Sequence, residues 1–214
     1  MHRSCYGEAV ETDQMVVGRR ERKRLATRQE LSRTALRLAV ERGPENVRVE
    51  DIAAEADVAL RTFHNHFSNK EEAIVSLGVE RAARIAADLR NRPASESLVD
   101  ALSQAYAQQY DVGGEVDEGW MARIRLIVSS PSLLGEHLKS LAKVELGLAE
   151  AIAERTGTDA EHDLYPRVLA AAVSGATRAA VAHWLDHGPP TALAAVLRTA
   201  IHHVVAASPL PGQH

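Results

Sequence analysis

The chain has 214 residues, a formal net charge of −4, 45% hydrophobic residues and only 4% aromatics. That length suits one or two compact domains, and an alanine-rich, aromatic-poor composition favours packed helices over a β-rich core. A single cysteine, Cys5, excludes an intramolecular disulfide and fits a reducing cytoplasm. No uninterrupted apolar run approaches the roughly 20 residues a bilayer span needs, and no signal-peptide core opens the chain, so a cytoplasmic protein with no membrane partner is expected.

Residues 1–18 show no sustained periodicity and read as a flexible tail. Arg19, Arg20, Arg22, Lys23 and Arg24 follow as a dense basic cluster, read as an arm that meets DNA backbone or minor groove. A first helix is predicted over about 21–42, with Leu31, Ala35, Leu38 and Ala39 as its inward stripe and Gly43-Pro44 as its stop. Residues 49–70, VEDIAAEADVALRTFHNHFSNK, then carry two short helical patterns joined by a tight turn. Ile52, Ala53 and Ala56 mark one face of the first, over about 49–56. Phe63 and Phe67 mark the second, over about 60–67. This is the helix-turn-helix pattern, in which the second helix enters the major groove and the first crosses the backbone.

Charge is distributed to match. Residues 19–70 hold twelve Lys and Arg against eight Asp and Glu, whereas the rest holds thirteen against twenty-one. A basic N-terminal third on an acidic remainder is the asymmetry expected when only one end meets phosphate.

A fourth helix is predicted to begin at Ser68, with Glu71 at capping-box spacing, and to run to about residue 90. Its N-terminus and Lys70 together offer a phosphate site. Five further helices follow: one capped by Ser95 and carrying Leu98, Leu102, Tyr106 and Tyr110, then about 118–129, on to about 155, 163–187 and 191–207. No strand-like alternation competes, so the expected fold is all-α with about nine helices. The domain boundaries read as 1–18, 19–80 and 81–208. In the eighth predicted helix, small residues permit close approach; in the ninth, Leu193, Val196, Leu197, Ala200, Ile201, Val204 and Val205 make more than one face apolar. Together they point to a homodimer through these two helices.

The string Ile52-Ala53, Ala56, Val58, Thr62-Phe63, Phe67, Lys70 and the run from Glu71 to Ile74 resembles the DNA-binding domain of the tetracycline-repressor-like (TetR) family. Three positions depart from the family pattern. Asp57 stands in place of the turn glycine, Arg48 in place of a Thr or Ser cap, and His64 in place of a phosphate-contacting Tyr. Aspartate tolerates a left-handed backbone better than most residues, so the turn is expected to survive with some strain. The resemblance implies a dimer that reads a pseudo-palindromic double-stranded operator. Ala59, Leu60, Arg61 and Asn65 are expected to face the groove. Arg61 suits guanine O6 and N7, and Asn65 suits adenine N6 and N7. Thr62, His64 and Lys70 map onto phosphate-contacting positions, with Arg48 equally placed.

The stretch RIRLIVSSPS at 123–132, with the segments around Leu164 and Trp184, is similar to C-terminal domains that accept acyl-CoA-like ligands. The implied small-molecule effector is an acyl-CoA or fatty acid. The candidate pocket residues are Tyr106, Tyr110, Trp120, Met121, Ile124 and Trp184, with Arg123 and Arg178 as a basic mouth. Helical His183 and His187 have metal-ligand spacing, but no third ligand accompanies them. Ser140 and Lys143 match the S-x-x-K spacing without its companion motifs. No metal, cofactor or enzymatic activity is expected. The predicted function is a ligand-responsive repressor, with ligand-activated regulation or a ligand-independent DNA-binding module as alternatives.

Overall fold

The computed structural model describes side chains for residues 18–110, 121–187 and 192–208, and assigns backbone elements from Cys5 and from Glu118. Among the described residues the chain is all helical. The helices are α1 (Cys5–Arg42), α2 (Val49–Glu55), α3 (Leu60–His64), α4 (Lys70–Asn91), α5 (Leu98–Tyr110), α6 (Glu118–Ser129), α7 (Pro131–Thr156), α8 (Leu164–His187) and α9 (Leu193–Ala206), with a 3-10 turn at Pro44–Asn46. Two compact units result, Met1–Leu77 and Gly78–His214.

In the first unit the expected α1 stripe is fully buried: Leu31, Ala35, Leu38 and Ala39 each have 0% exposure. Val47, Ile52, Phe63, Phe67 and Ile74 complete its core. Helix α1 begins at Cys5, not near residue 21, so the basic cluster at 19–24 lies on a helix and not on an extended arm. No proline interrupts 5–42, and each of its two glycines, Gly7 and Gly18, costs only about 1 kcal/mol in a helix. Gly43 ends α1 with φ 81, and its N–H donates to the Ala39 carbonyl at 3.0 Å.

The turn between α2 and α3 settles the first departure from the family pattern. Asp57 has φ 51, the one left-handed non-glycine residue among those described. Val58 N–H donates back to the Ala53 carbonyl at 2.9 Å and closes the turn. At the start of α2, the Asp51 carboxylate accepts from the Arg48 N–H at 3.1 Å. A carboxylate at the third helical position thus supplies the reciprocal half of a capping box, although arginine cannot accept a bond itself.

Helix α4 starts one residue later than its predicted cap. Asn69 Oδ1 accepts from the Glu72 N–H at 2.7 Å, and Glu72 Oε2 accepts from the Ser68 N–H at 2.9 Å. Asn69-Glu72, not Ser68-Glu71, is the capping pair. A two-residue shift occurs at α5, where Ser97 and not Ser95 accepts from the Asp100 N–H at 3.2 Å. In both cases a second cap-forming side chain stood close by in sequence, and packing selected the register.

The core of the second unit gathers Ile85 and Leu89 of α4, Leu102 and Tyr106 of α5, Leu148 and Ile152 of α7, Leu169 and Val173 of α8, and Ile201 of α9. Pro131 opens α7 at its first turn, and Gly157, φ 68, ends it. Helix α8 is long and apolar enough, at 24 residues and mean hydropathy 1.2, to cross a membrane by length and composition. Its Leu169, Ala170, Val173, Ala180 and Trp184 are instead buried in protein core. Helix α9 packs against both α5 and α8, so both its apolar faces are engaged within the chain. Its Arg198, His202 and His203 are exposed. The apolarity of α9 therefore does not by itself demand a partner chain.

Replacing Asp57 by glycine should relieve the left-handed strain and stabilise the chain by about 0.5–1 kcal/mol, whereas Asp57→Val should destabilise it by about 1–2 kcal/mol. Thermal unfolding of the two variants against the parent chain measures both signs.

Candidate nucleic-acid interface and candidate ligand cavity

Helix α3 is five residues long, too short to be stable in isolation. Phe63 and Phe67 hold it, at 0% and 2% exposure, with ring centroids 5.6 Å apart. The Phe67 N–H donates to the Phe63 carbonyl at 2.9 Å, so a turn extends the helix to its second anchor. With those rings inward, Ala59, Leu60, Arg61, His64 and Asn65 are exposed and Thr62 is half-buried. Leu60 is 40% exposed, a large apolar side chain left in water. Arg48, at the start of α2, is also exposed.

Lys70 is placed differently from a free phosphate ligand. Its Nζ donates to the carbonyls of Pro44 at 2.8 Å and Val47 at 2.9 Å. Two of its three donors thus staple α4 to the turn that precedes α2, leaving at most one for a phosphate.

Arg28 is a functional residue that periodicity did not single out. Its Nη1 donates to the His66 carbonyl at 2.5 Å, its Nη2 to Ser76 Oγ at 3.3 Å, and its guanidinium lies 4.1 Å from the Phe67 ring centroid. The side chain therefore ties α1 to the end of the recognition segment and to α4, and its stacking adds a cation–π attraction. His66 beside it has a buried Nδ1 without a hydrogen-bond partner. Burial, with Arg28 and Arg24 nearby, lowers the His66 imidazole below its ordinary value of 6.5.

The second unit contains a cavity of about 290 Å³. Of the residues expected there, Tyr106, Tyr110, Ile124 and Arg178 line it. Trp184 is instead 2% exposed in a separate cluster with Ala180, Leu193 and Leu197, and Met121 packs against that cluster. Arg123 is exposed and does not line the cavity, and the Trp120 side chain lies outside the described residues. Sequence reading missed Arg81, His137, Glu145, Ser174 and Thr177, which also line it. Their signal was positional: each lies three, four or seven residues from an apolar lining residue of the same helix, such as Leu141 or Val181.

Polar groups in the cavity are constrained. Burial raises the Tyr106 hydroxyl, and burial raises that of Tyr110 against the opposing pull of Arg81. The Arg81 guanidinium lies 5.4 Å from the Tyr110 ring centroid. Burial lowers the His137 imidazole, and Arg178 adds to the effect. Arg178 faces Glu145 at 3.5 Å. Outside the cavity, His187 Nδ1 lies 2.8 Å from the His183 carbonyl, so that ring is turned to the backbone.

Lys70→Met should destabilise the chain by about 1–3 kcal/mol, because two carbonyls lose charge-assisted donors; chemical denaturation measures it. His66 supplies a pH test. The unfolded chain binds its proton more readily than the folded one, so stability is full above about 6.5 and falls as pH drops below it. Melting temperatures between neutral pH and pH about 5 should fall less for His66→Gln than for the parent chain.

Two family models cover most of the chain. Residues 31–75 match the bacterial regulatory proteins of the tetR family, and residues 96–209 match the MftR C-terminal domain. The chain is 37% identical over 177 residues to the HTH-type transcriptional regulator TcmR of Streptomyces glaucescens, covering 78% of this chain and 76% of that protein. It is 26% identical over 164 residues to the putative mycofactocin biosynthesis transcriptional regulator MftR of Mycobacterium tuberculosis (strain ATCC 25618 / H37Rv), covering 77% and 82%. In fold it is similar to Thermus thermophilus FadR in complex with lauroyl-CoA, with a TM-score of 0.54, 18% identity, and coverage of 87% of this chain and 99% of that one. With both its helix-turn-helix segment and its C-terminal half matched, the chain belongs to the tetR family of bacterial regulatory proteins and is a transcriptional regulator.

Proposed function

We propose that the chain is a homodimeric repressor that binds a pseudo-palindromic operator and is released by a small apolar or acyl-CoA-like effector. The observation that carries the reading is one chain holding both an exposed, doubly anchored recognition helix and, in its other unit, a ligand-sized cavity. Arg61 reads a guanine and Asn65 an adenine, while Arg48, Thr62, His64 and Lys70 contact phosphate and set the register. Ala59 and Leu60 offer apolar contact to thymine methyl groups.

The dimer reading rests on the family and on apolar side chains left exposed, Leu164 at 75% and Val168 at 53% on α8. They sit one helical turn apart, on one face, as an isologous helix contact requires. The cavity, at about 290 Å³, favours a ligand-responsive protein over a ligand-independent DNA-binding module. Release or recruitment then requires the effector to bind the two states of the regulator with different affinity, typically by 1–3 kcal/mol of coupling. Acyl-CoA as the effector has its support in the similarity to a FadR that holds lauroyl-CoA and in the apolar wall of Ile124, Ile127, Leu134, Leu141 and Leu148.

Fluorescence anisotropy on the DNA upstream of the chain's own gene, with and without effector candidates, tests this reading. Arg61→Ala should lose about 1–3 kcal/mol on that operator and relax preference at one base pair, whereas Lys70→Ala should weaken all sequences alike and flatten the salt slope by about one unit. Equal operator affinity for Arg61→Ala and the parent chain would sink the assignment of the reading helix.

A further inference from the structure

The cavity of the second unit contains an ion pair that an uncharged apolar ligand would not need. Arg178 of α8 and Glu145 of α7 face each other at 3.5 Å, with side chains 42% and 27% exposed. That separation is longer than a charge-assisted hydrogen bond, which runs at about 2.7–2.9 Å. Elsewhere in the same unit, arginine forms much tighter pairs: Arg90 Nε donates to Glu154 at 2.9 Å. Arg178 is thus attracted to Glu145, but its planar fork of donors is not satisfied by it.

Apart from Arg81, the polar groups around the pair are neutral, on an apolar floor. His137 is uncharged near neutrality, because burial and Arg178 both oppose its proton, and its buried Nδ1 has no hydrogen-bond partner. The Tyr106 and Tyr110 hydroxyls stay protonated. A Cβ built on Gly78 would lie 3.6 Å from His137 Cε1, so α4 approaches this ring closely without pinning it. Ile124, Ile127, Leu141 and Val144 line the same wall, and the Arg81 guanidinium of α4, 5.4 Å from the Tyr110 ring centroid, is the third charged group of the lining. A ligand cation would meet two guanidiniums, those of Arg81 and Arg178. A monoanion can take the guanidinium in bidentate geometry while Glu145, already part-exposed, turns to solvent.

We infer that the cavity takes a compact organic acid, an apolar body carrying one ionised acidic oxygen group, whose anion replaces Glu145 on Arg178. The inference rests on the reading of this cavity as the effector site. Size agrees with it. About 290 Å³ lies near the lower end of small-molecule pockets. A medium-chain or two-ring acid fills that space. The ionised acid end of the ligand is then what Arg178 recognises.

The test is calorimetric titration of the full chain, without DNA, using decanoate, dodecanoate and naphthoate beside their methyl esters. The acids should bind saturably and at least about tenfold tighter than the esters. Glu145→Gln should tighten the acids by about tenfold and leave the esters unchanged, since it removes only the competing anion. Arg178→Gln should abolish the difference between acid and ester, with ester binding retained as evidence that the cavity is intact. Esters binding as well as acids, acids unaffected by Glu145→Gln, or no binding of any probe would each overturn the inference. Operator release is measured separately. Acids that bind with this pattern but leave the operator complex intact would refute the effector reading while the acid specificity stands.

Discussion

Burial of Phe63 and Phe67 is the constraint on which the first unit depends. Each ring contributes roughly 1.5–3 kcal/mol by leaving water, and together they orient a helix of five residues that has no stability of its own. Arg28 then closes over Phe67 and takes the carbonyl that ends the segment, while Lys70 draws the turn before α2 toward α4. Two cations therefore act inward, as clamps on backbone oxygens. The exposed polar side chains of α3 are free to face DNA because the anchors and clamps are elsewhere.

The second unit uses its polar residues in the opposite way. Its packed core is almost entirely apolar, and polar side chains from α4, α5, α7 and α8 line one cavity. The loose pairing of Arg178 with Glu145 leaves attraction available for an incoming group, whereas Arg92 holds Glu96 through both Nε and Nη2.

The departures from the family pattern find physical explanations of unequal kind. Asp57 holds the turn in the left-handed region that glycine would occupy without strain. Arg48 gives up the side-chain cap, and Asp51 provides the remaining half. His64 stands exposed at the end of α3, its ring 5.6 Å from that of Phe63, in edge-to-face contact. None of the three disturbs the core.

The sequence by itself determined the all-α class, the stripe Leu31-Ala35-Leu38-Ala39, the two phenylalanine anchors and the exposure of Arg61 and Asn65. All of these follow from short-range periodicity, which the chain cannot escape once a helix forms. Four of the eight candidate cavity residues, Tyr106, Tyr110, Ile124 and Arg178, were legible too. Tertiary structure decided the rest. Trp184 looked like a pocket residue because aromatics are scarce, yet α9 covers it with Leu193 and Leu197. His137 and Glu145 of α7 join the cavity only because α4 and α8 pack beside them. Lys70 and Arg28 acquired their partners across 23 to 48 residues of chain, a separation at which no local pattern signals a contact.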